Sequence, residues 1–281
     1  MVRGIGWLVI ALLMGATPAL ADSNQPVLIG TTPVFLDDQA MFLDRWRKYM
    51  ERRLGRPVGF VQRGSYRDIT NLILAGKLDF AWVCGPPYIA NRANMILAAV
   101  PVFKGKPLYQ SYLIVPATDK TTAGFADLKD KVYAFSDPDS NSGWVAPQAE
   151  MRRLQLNPAT LFKKSFFTWA HKKAVEAVAV GIAQGGSVDG YVWETLNVLH
   201  PELTAKTRIV WKSPEYGFPP IIARRSIARE EFRRMQVLLV GMKDDPEGRA
   251  LLKELNLDGF TPGNDRLFDG IERNMKLVSA G

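Results

Sequence analysis

The sequence predicts an α/β protein built from two lobes of similar design. Short apolar runs alternate with amphipathic stretches along most of the chain, the pattern of strands and helices in turn. Glycines close several of the amphipathic stretches, as helix stops do. A third observation is an internal echo, Ala75-Gly76-Lys77-Leu78-Asp79-Phe80-Ala81 against Gly185-Gly186-Ser187-Val188-Asp189-Gly190-Tyr191. In each, a helix ends at glycine, a turn follows, and an apolar-Asp pair enters a strand that reaches a tryptophan, Trp82 or Trp193.

Val27-Leu28-Ile29-Gly30 reads as the first strand. Asp37 or Asp38 then caps a helix whose apolar face is Phe42, Leu43, Trp46, Tyr49, Met50 and Leu54, stopped by Gly55 and Pro57. The basic residues of that helix are interrupted by Asp44 and Glu51 and read as a solvated face. Residues 58–61 form a second strand, and Ser65-Tyr66-Arg67-Asp68 resembles a capping box opening a helix through Leu74. Residues 79–83 are apolar enough for a strand buried on both faces. Further along, strands at 131–135 and 165–169 precede helices from about Gly143 and across 171–184. The extended, proline-flanked runs 109–115 and 218–223 suit two crossings between the lobes. Lobe one is then discontinuous, 22–110 with 218–281, and lobe two is 111–217.

Composition narrows the classes. With 281 residues, 47% hydrophobic and 23% charged, the chain is neither disordered nor a multi-span membrane protein. The formal charge of +8 would suit nucleic acid, an anionic membrane or an anionic ligand. One cysteine and two histidines exclude a disulfide framework and leave almost nothing for a zinc cage. At the N-terminus, Arg3, the apolar run 5–16 and Ala19-Leu20-Ala21 read as a cleavable signal peptide, residues 1–21. An exported protein without a lipobox cysteine or direct membrane anchor is expected in the periplasm, where nucleic acid is no partner.

The strongest chemical signal is Phe135-Ser136-Asp137-Pro138-Asp139-Ser140-Asn141-Ser142-Gly143-Trp144. A strand runs into a hydroxyl- and amide-rich turn, and Gly143 opens a helix. Ser140, Asn141 and Ser142 beside free first-turn N–H groups can cradle an anion; they can equally be plain N-caps. His171 starts the helix after a strand, where ligands bind in doubly wound sheets and where an imidazole can switch charge near neutral pH. Cys84 lies at a strand end in Trp82-Val83-Cys84-Gly85-Pro86-Pro87-Tyr88, as a buried apolar thiol or a cleft group, and Tyr88 can swing a hydroxyl into the cleft. Enzyme motifs such as G-x-S-x-G, H-E-x-x-H and G-x-G-x-x-G are absent from the sequence; a set drawn from Ser142, His171 and Asp189 would be the hydrolase alternative.

These phrases, together with His171-Lys172-Lys173-Ala174-Val175, Val188-Asp189-Gly190-Tyr191 and Ser213-Pro214-Glu215-Tyr216-Gly217-Phe218-Pro219-Pro220, resemble a known family. It is the phosphate/phosphite/phosphonate-binding proteins of ABC transporters, the PhnD-like branch of the type II periplasmic binding proteins. The resemblance implies two α/β lobes closing on a small anion, without catalysis or cofactor, in a monomer that hands its ligand to an ABC permease. The family's Ser-Thr-Ser loop falls on Ser140-Asn141-Ser142, its ligand histidine on His171 and its aromatic on Tyr88. Glu194 is the nearest counterpart of acids that hold aminoalkyl groups, and Phe35 matches a further cleft aromatic. A subgroup resembles arsenite sensors working with a membrane histidine kinase, in which a cleft cysteine binds arsenic; Cys84 would be that arsenite ligand.

Overall fold

A computed structural model describes residues 25–32 and 40–280. The signal segment 1–21, Phe35 and the proposed caps Asp37 and Asp38 lie outside the described residues. The chain opens with β1 (Val27–Thr31), α1 (Ala40–Leu54), β2 (Val58–Gln62), α2 (Tyr66–Leu74), β3 (Phe80–Trp82), α3 (Gly85–Ala90) and β4 (Met95–Val102). Helix α1 buries the stripe its spacing predicts, and Gly55 at φ +66° ends it. Ser65 caps α2, its Oγ accepting from Asp68 N at 3.2 Å.

The middle of the chain gives β5 (Leu108–Tyr109), β6 (Ser111–Pro116), β7 (Val132–Phe135), α4 (Ala146–Arg153), α5 (Pro158–Leu161), β8 (Lys164–Phe167), α6 (His171–Ala179), β9 (Gly185–Asp189), α7 (Gly190–Leu199), α8 (Pro201–Thr204) and β10 (Thr207–Lys212). The chain returns through β11 (Tyr216–Gly217), β12 (Ile221–Arg224), α9 (Arg229–Gly241), α10 (Pro246–Glu254), β13 (Gly259–Thr261) and α11 (Asp269–Ser279).

Two sheets organise these elements. The first has the order β13-β4-β12-β3-β1-β2 and the second β10-β6-β9-β7-β8. Each contains a parallel trio, β2-β1-β3 in one and β8-β7-β9 in the other. In each, the third strand of the trio pairs antiparallel with a strand that follows a crossing, β12 beside β3 and β6 beside β9. This is the type II periplasmic-binding architecture. The carboxyl ends of the two trios carry the loops that face each other, which is where open α/β sheets place their ligands.

The crossings are shorter than expected. Residues 111–116 already belong to the second sheet and 221–224 to the first; the linking pair is β5 against β11, Tyr109 opposite Tyr216. Rings of Phe103, Tyr109, Tyr191 and Phe218 pack around it at centroid distances of 5.0–6.5 Å. Dividing the chain at 110/111 and 217/218 remains our proposal. Helix α11 spans that division, packing on α3 from one side and on α4 from the other. Arg153 donates to Asn274, and Asn274 Nδ2 donates to Tyr216 Oη at 2.8 Å.

The internal echo shifts register. Helix α6 ends at Ala179, and the glycine behind it in left-handed conformation is Gly181, φ +77°, matching Gly76 at φ +69°. Gly185 and Gly186 are instead inside β9. A Cβ on Gly186 would stand 3.1 Å from Val178 and 3.2 Å from the Ala134 carbonyl oxygen, so close approach selects these glycines. Asp79 therefore precedes its strand, whereas Asp189 ends its own and caps α7.

Candidate functional site

The turn after β7 is fixed by its own backbone. Val145 N donates to Ser140 O at 3.1 Å, five residues back, so Asn141–Val145 forms one wide π-type turn before α4. Ser140 Oγ accepts from Gly143 N at 3.0 Å. Gly143 has no room for a side chain, since a Cβ would fall 1.6 Å from Ser136 Oγ and 3.2 Å from His171 Cε1. Ser140, Asn141 and Ser142 are fully buried between the lobes.

His171 starts α6 at the end of the strand beside β7. Its Nδ1 accepts from Asp189 N at 3.0 Å, and its Nε2 stands 3.5 Å from Ser140 Oγ. Burial lowers its pKa to about 3, so the imidazole is neutral. With Nδ1 accepting, the proton sits on Nε2, and the ring is a donor toward the turn. The charge switch near neutral pH expected from the sequence is thus replaced by a fixed neutral donor.

Lobe one brings three groups that the sequence reading did not assign to the site, or assigned differently. Tyr66, the first residue of α2, donates its backbone N–H to Asp137 Oδ2 at 3.1 Å across the lobes. Its buried hydroxyl lies beside Ser140 without a hydrogen bond of normal geometry. Cys84, at the end of β3, accepts from Asn141 N at 3.2 Å, and burial pushes its thiol up to about 12. Tyr109 in the crossing accepts from Asn141 Nδ2 at 3.0 Å. Asn141 Oδ1 and Ser142 Oγ are buried and unpartnered, like the Tyr66 hydroxyl. Three unpaired polar atoms in one enclosed place are costly unless something else pairs them.

Other expected residues stand elsewhere. Tyr88 turns its hydroxyl to Asp265, and its ring packs edge-on to Phe268 at 5.2 Å, because the phase of α3 directs it toward the 265–268 turn before α11. Glu194 accepts from Tyr112 Oη at 3.0 Å and pairs with Lys104 Nζ at 3.0 Å, in a pocket on the crossing side. Phe35 lies outside the described residues. Ser142, His171 and Asp189 form no hydrolytic relay, since the Asp189 carboxylate caps Tyr191 N and Val192 N and gives His171 only its amide. Among the described residues no His/Cys/Asp/Glu group could hold a metal ion, and no helix is long and apolar enough to cross a membrane.

Two lobes, facing strand ends and an enclosed donor-rich turn without a relay define a ligand-binding protein of the periplasmic type. Residues 29–268 match the ABC transporter phosphonate periplasmic substrate-binding proteins, and the chain belongs to that family. It is 25% identical over 262 residues to the phosphonates-binding periplasmic protein of Escherichia coli, covering 89% of this chain and 76% of that one. To the phosphate-import protein PhnD of Mycolicibacterium smegmatis it is 24% identical, covering 77% and 69%. Its fold is similar to the binding component of an ABC phosphonate transporter from Pseudomonas aeruginosa, with TM-score 0.82, 21% identity and coverage of 91% and 87%. It is also similar to PhnD1 of Prochlorococcus marinus in complex with methylphosphonate, with TM-score 0.81, 18% identity and coverage of 90% and 98%. The sensor alternative finds no support in these relatives.

Proposed function

We propose that this protein captures a small tetrahedral oxyanion of the phosphate and phosphonate class between its lobes and presents it to an ABC permease. The observation that carries the reading is the pair of buried, unpartnered hydroxyls of Tyr66 and Ser142 beside the Nε2–H of neutral His171. Hydroxyls and an imidazole N–H would donate to the anion, with the Tyr109 hydroxyl closing from the crossing. Cys84 stands at the wall, where its protonated thiol supports Asn141. Because the turn is fully buried, the lobes must part for a ligand to enter and close to hold it. Residues 1–21 would direct export to the periplasm and be removed there, leaving a soluble, non-catalytic monomer.

Calorimetry tests this reading with inorganic phosphate and methylphosphonate. Binding by the wild type, lost in Ser140→Ala/Ser142→Ala, is the expected result. Unchanged affinity in the double variant overturns the assignment of the turn.

A further inference from the structure

The buried Asp189 carboxyl has no role in gripping an anion, yet it stands in the same enclosure. Its Oδ1 accepts from Tyr191 N at 2.8 Å and Val192 N at 3.3 Å, while Oδ2 takes no hydrogen bond among the described residues. Its own backbone N–H donates to His171 Nδ1 at 3.0 Å, and β9 sets it opposite Ser111, whose Oγ donates to Ser142 O at 2.6 Å, so the carboxyl stands beside the groups that line the site. Among the described residues no lysine or arginine hydrogen-bonds to any of these groups; Lys212 Nζ lies 4.6 Å from the centre of the Tyr112 ring, and Arg67 at the rim is held by Asp139, Nε to Oδ2 at 3.0 Å.

A dianion held beside His171 would share a buried enclosure with an ionised Asp189 carboxylate that no lysine or arginine pairs with among the described residues. Like charges so placed cannot both be kept. Resting on the oxyanion reading above, we propose that the site binds its anion together with one proton, shared between the ligand and the Asp189 carboxyl. When the carboxyl is ionised it accepts from the ligand's remaining O–H; when it is protonated it donates to a ligand oxygen. Either way the complex carries one proton more than a free dianion and free carboxylate, and that proton comes from solvent.

The neighbours leave few other sources. Burial raises Tyr66, Tyr109, Tyr112 and Tyr191 and holds the Cys84 thiol protonated and His171 neutral near pH 7. Asp137 is raised by burial but accepts from Asp139 N at 2.8 Å and Tyr66 N at 3.1 Å, bonds that favour its ionised form. Desolvation raises Asp189 to about 7, so the carboxyl is poised to hold a proton where phosphate itself exchanges one.

Calorimetry with inorganic phosphate at about pH 8.5, in two buffers of different ionisation enthalpy, reads the proton directly. The wild type is expected to take up about one proton per phosphate, and its affinity to fall about tenfold per pH unit in that range. Sulfate brings no proton, so it can bind only when Asp189 carries one, and at about pH 8.5 it is expected to compete only weakly. Asp189→Asn keeps the cap, since its amide oxygen accepts the same N–H groups; it is expected to bind phosphate without proton uptake and to gain sulfate binding. Phosphate binding by the wild type without proton uptake, or uptake that persists in Asp189→Asn, overturns this inference and leaves the oxyanion reading standing. Failure of phosphate and methylphosphonate to bind at any pH overturns both.

Discussion

The two lobes meet the cleft in different ways. Lobe two presents a π-type turn and its polar side chains, pressed so tightly on β7 and α6 that its glycine admits no side chain. Lobe one reaches that turn from strand and helix ends, with the Cys84 thiol accepting from Asn141 N and the Tyr66 backbone N–H donating to Asp137 Oδ2. Gly85 in lobe one is also crowded, but its obstacle is the terminal methyl of Ile271, which can rotate away. One lobe therefore is a preformed cradle, and the other a cover whose contacts with the cradle are exchanged for water on opening. In the proposed function, the difference separates what would fix the anion from what would seal it in.

Substitution of the cradle should have the largest effect. Gly143→Ala must displace Ser136 and crowd His171, and is expected to destabilise the fold by about 3 kcal/mol in urea denaturation. Gly85→Ala should cost clearly less; equal losses would break the contrast between a rigid cradle and a yielding cover. Next in size, Ser142→Ala is expected to weaken phosphate binding more than Tyr66→Phe, at about 2 kcal/mol for a hydrogen bond to a charged ligand. The reverse order in calorimetry would move the grip to lobe one.

The pH dependence of stability sharpens the picture within lobe two. His171 is held far below its ordinary value near 6.5, so its contribution is present above that pH and lost as pH falls toward about 3. Asp189 is held above its ordinary value, so its contribution is present at low pH and lost as pH rises through about 7. Between about pH 4 and 6.5 the two oppose each other, and the melting temperature of the wild type should vary little. Asp189→Asn removes one side of that balance, and its melting temperature should fall on acidification, with a slope of about 1 kcal/mol per pH unit at most. A flat profile in the variant would show that His171 is not held neutral. The smallest effect belongs to the rim. Arg67→Ala breaks the largely exposed pair with Asp139 and is expected to speed ligand release only about threefold, less so at high salt. A much larger change would mean that the cover grips as well as seals.

Which parts were legible in the sequence follows from how local they are. Ser140, Asn141, Ser142 and His171 were readable because each sits where a strand end runs into a helix start, and that grammar is local. Tyr66 was visible as part of a capping box, and Tyr109 as part of an extended run, but neither announced a site. They line the proposed site because two separately formed sheets turn their carboxyl ends toward each other. Tyr88 misled for a related reason: its place after a strand is right, but helix phase and Asp265, far along the chain, decide where its hydroxyl goes. Glu194 was drawn away by Lys104 and Tyr112, partners contributed by other elements.

By itself, then, the sequence determined the alternation of strands and helices, the two-lobed design, the donor-rich turn and the family resemblance. All of these rest on propensity, periodicity and capping, which act over a few residues. Tertiary structure decided that Gly185 and Gly186 are strand rather than helix stop, that His171 is neutral, and that Asp189 is a buried carboxyl. Close packing and loss of water set those outcomes, and both arise only when distant segments come together.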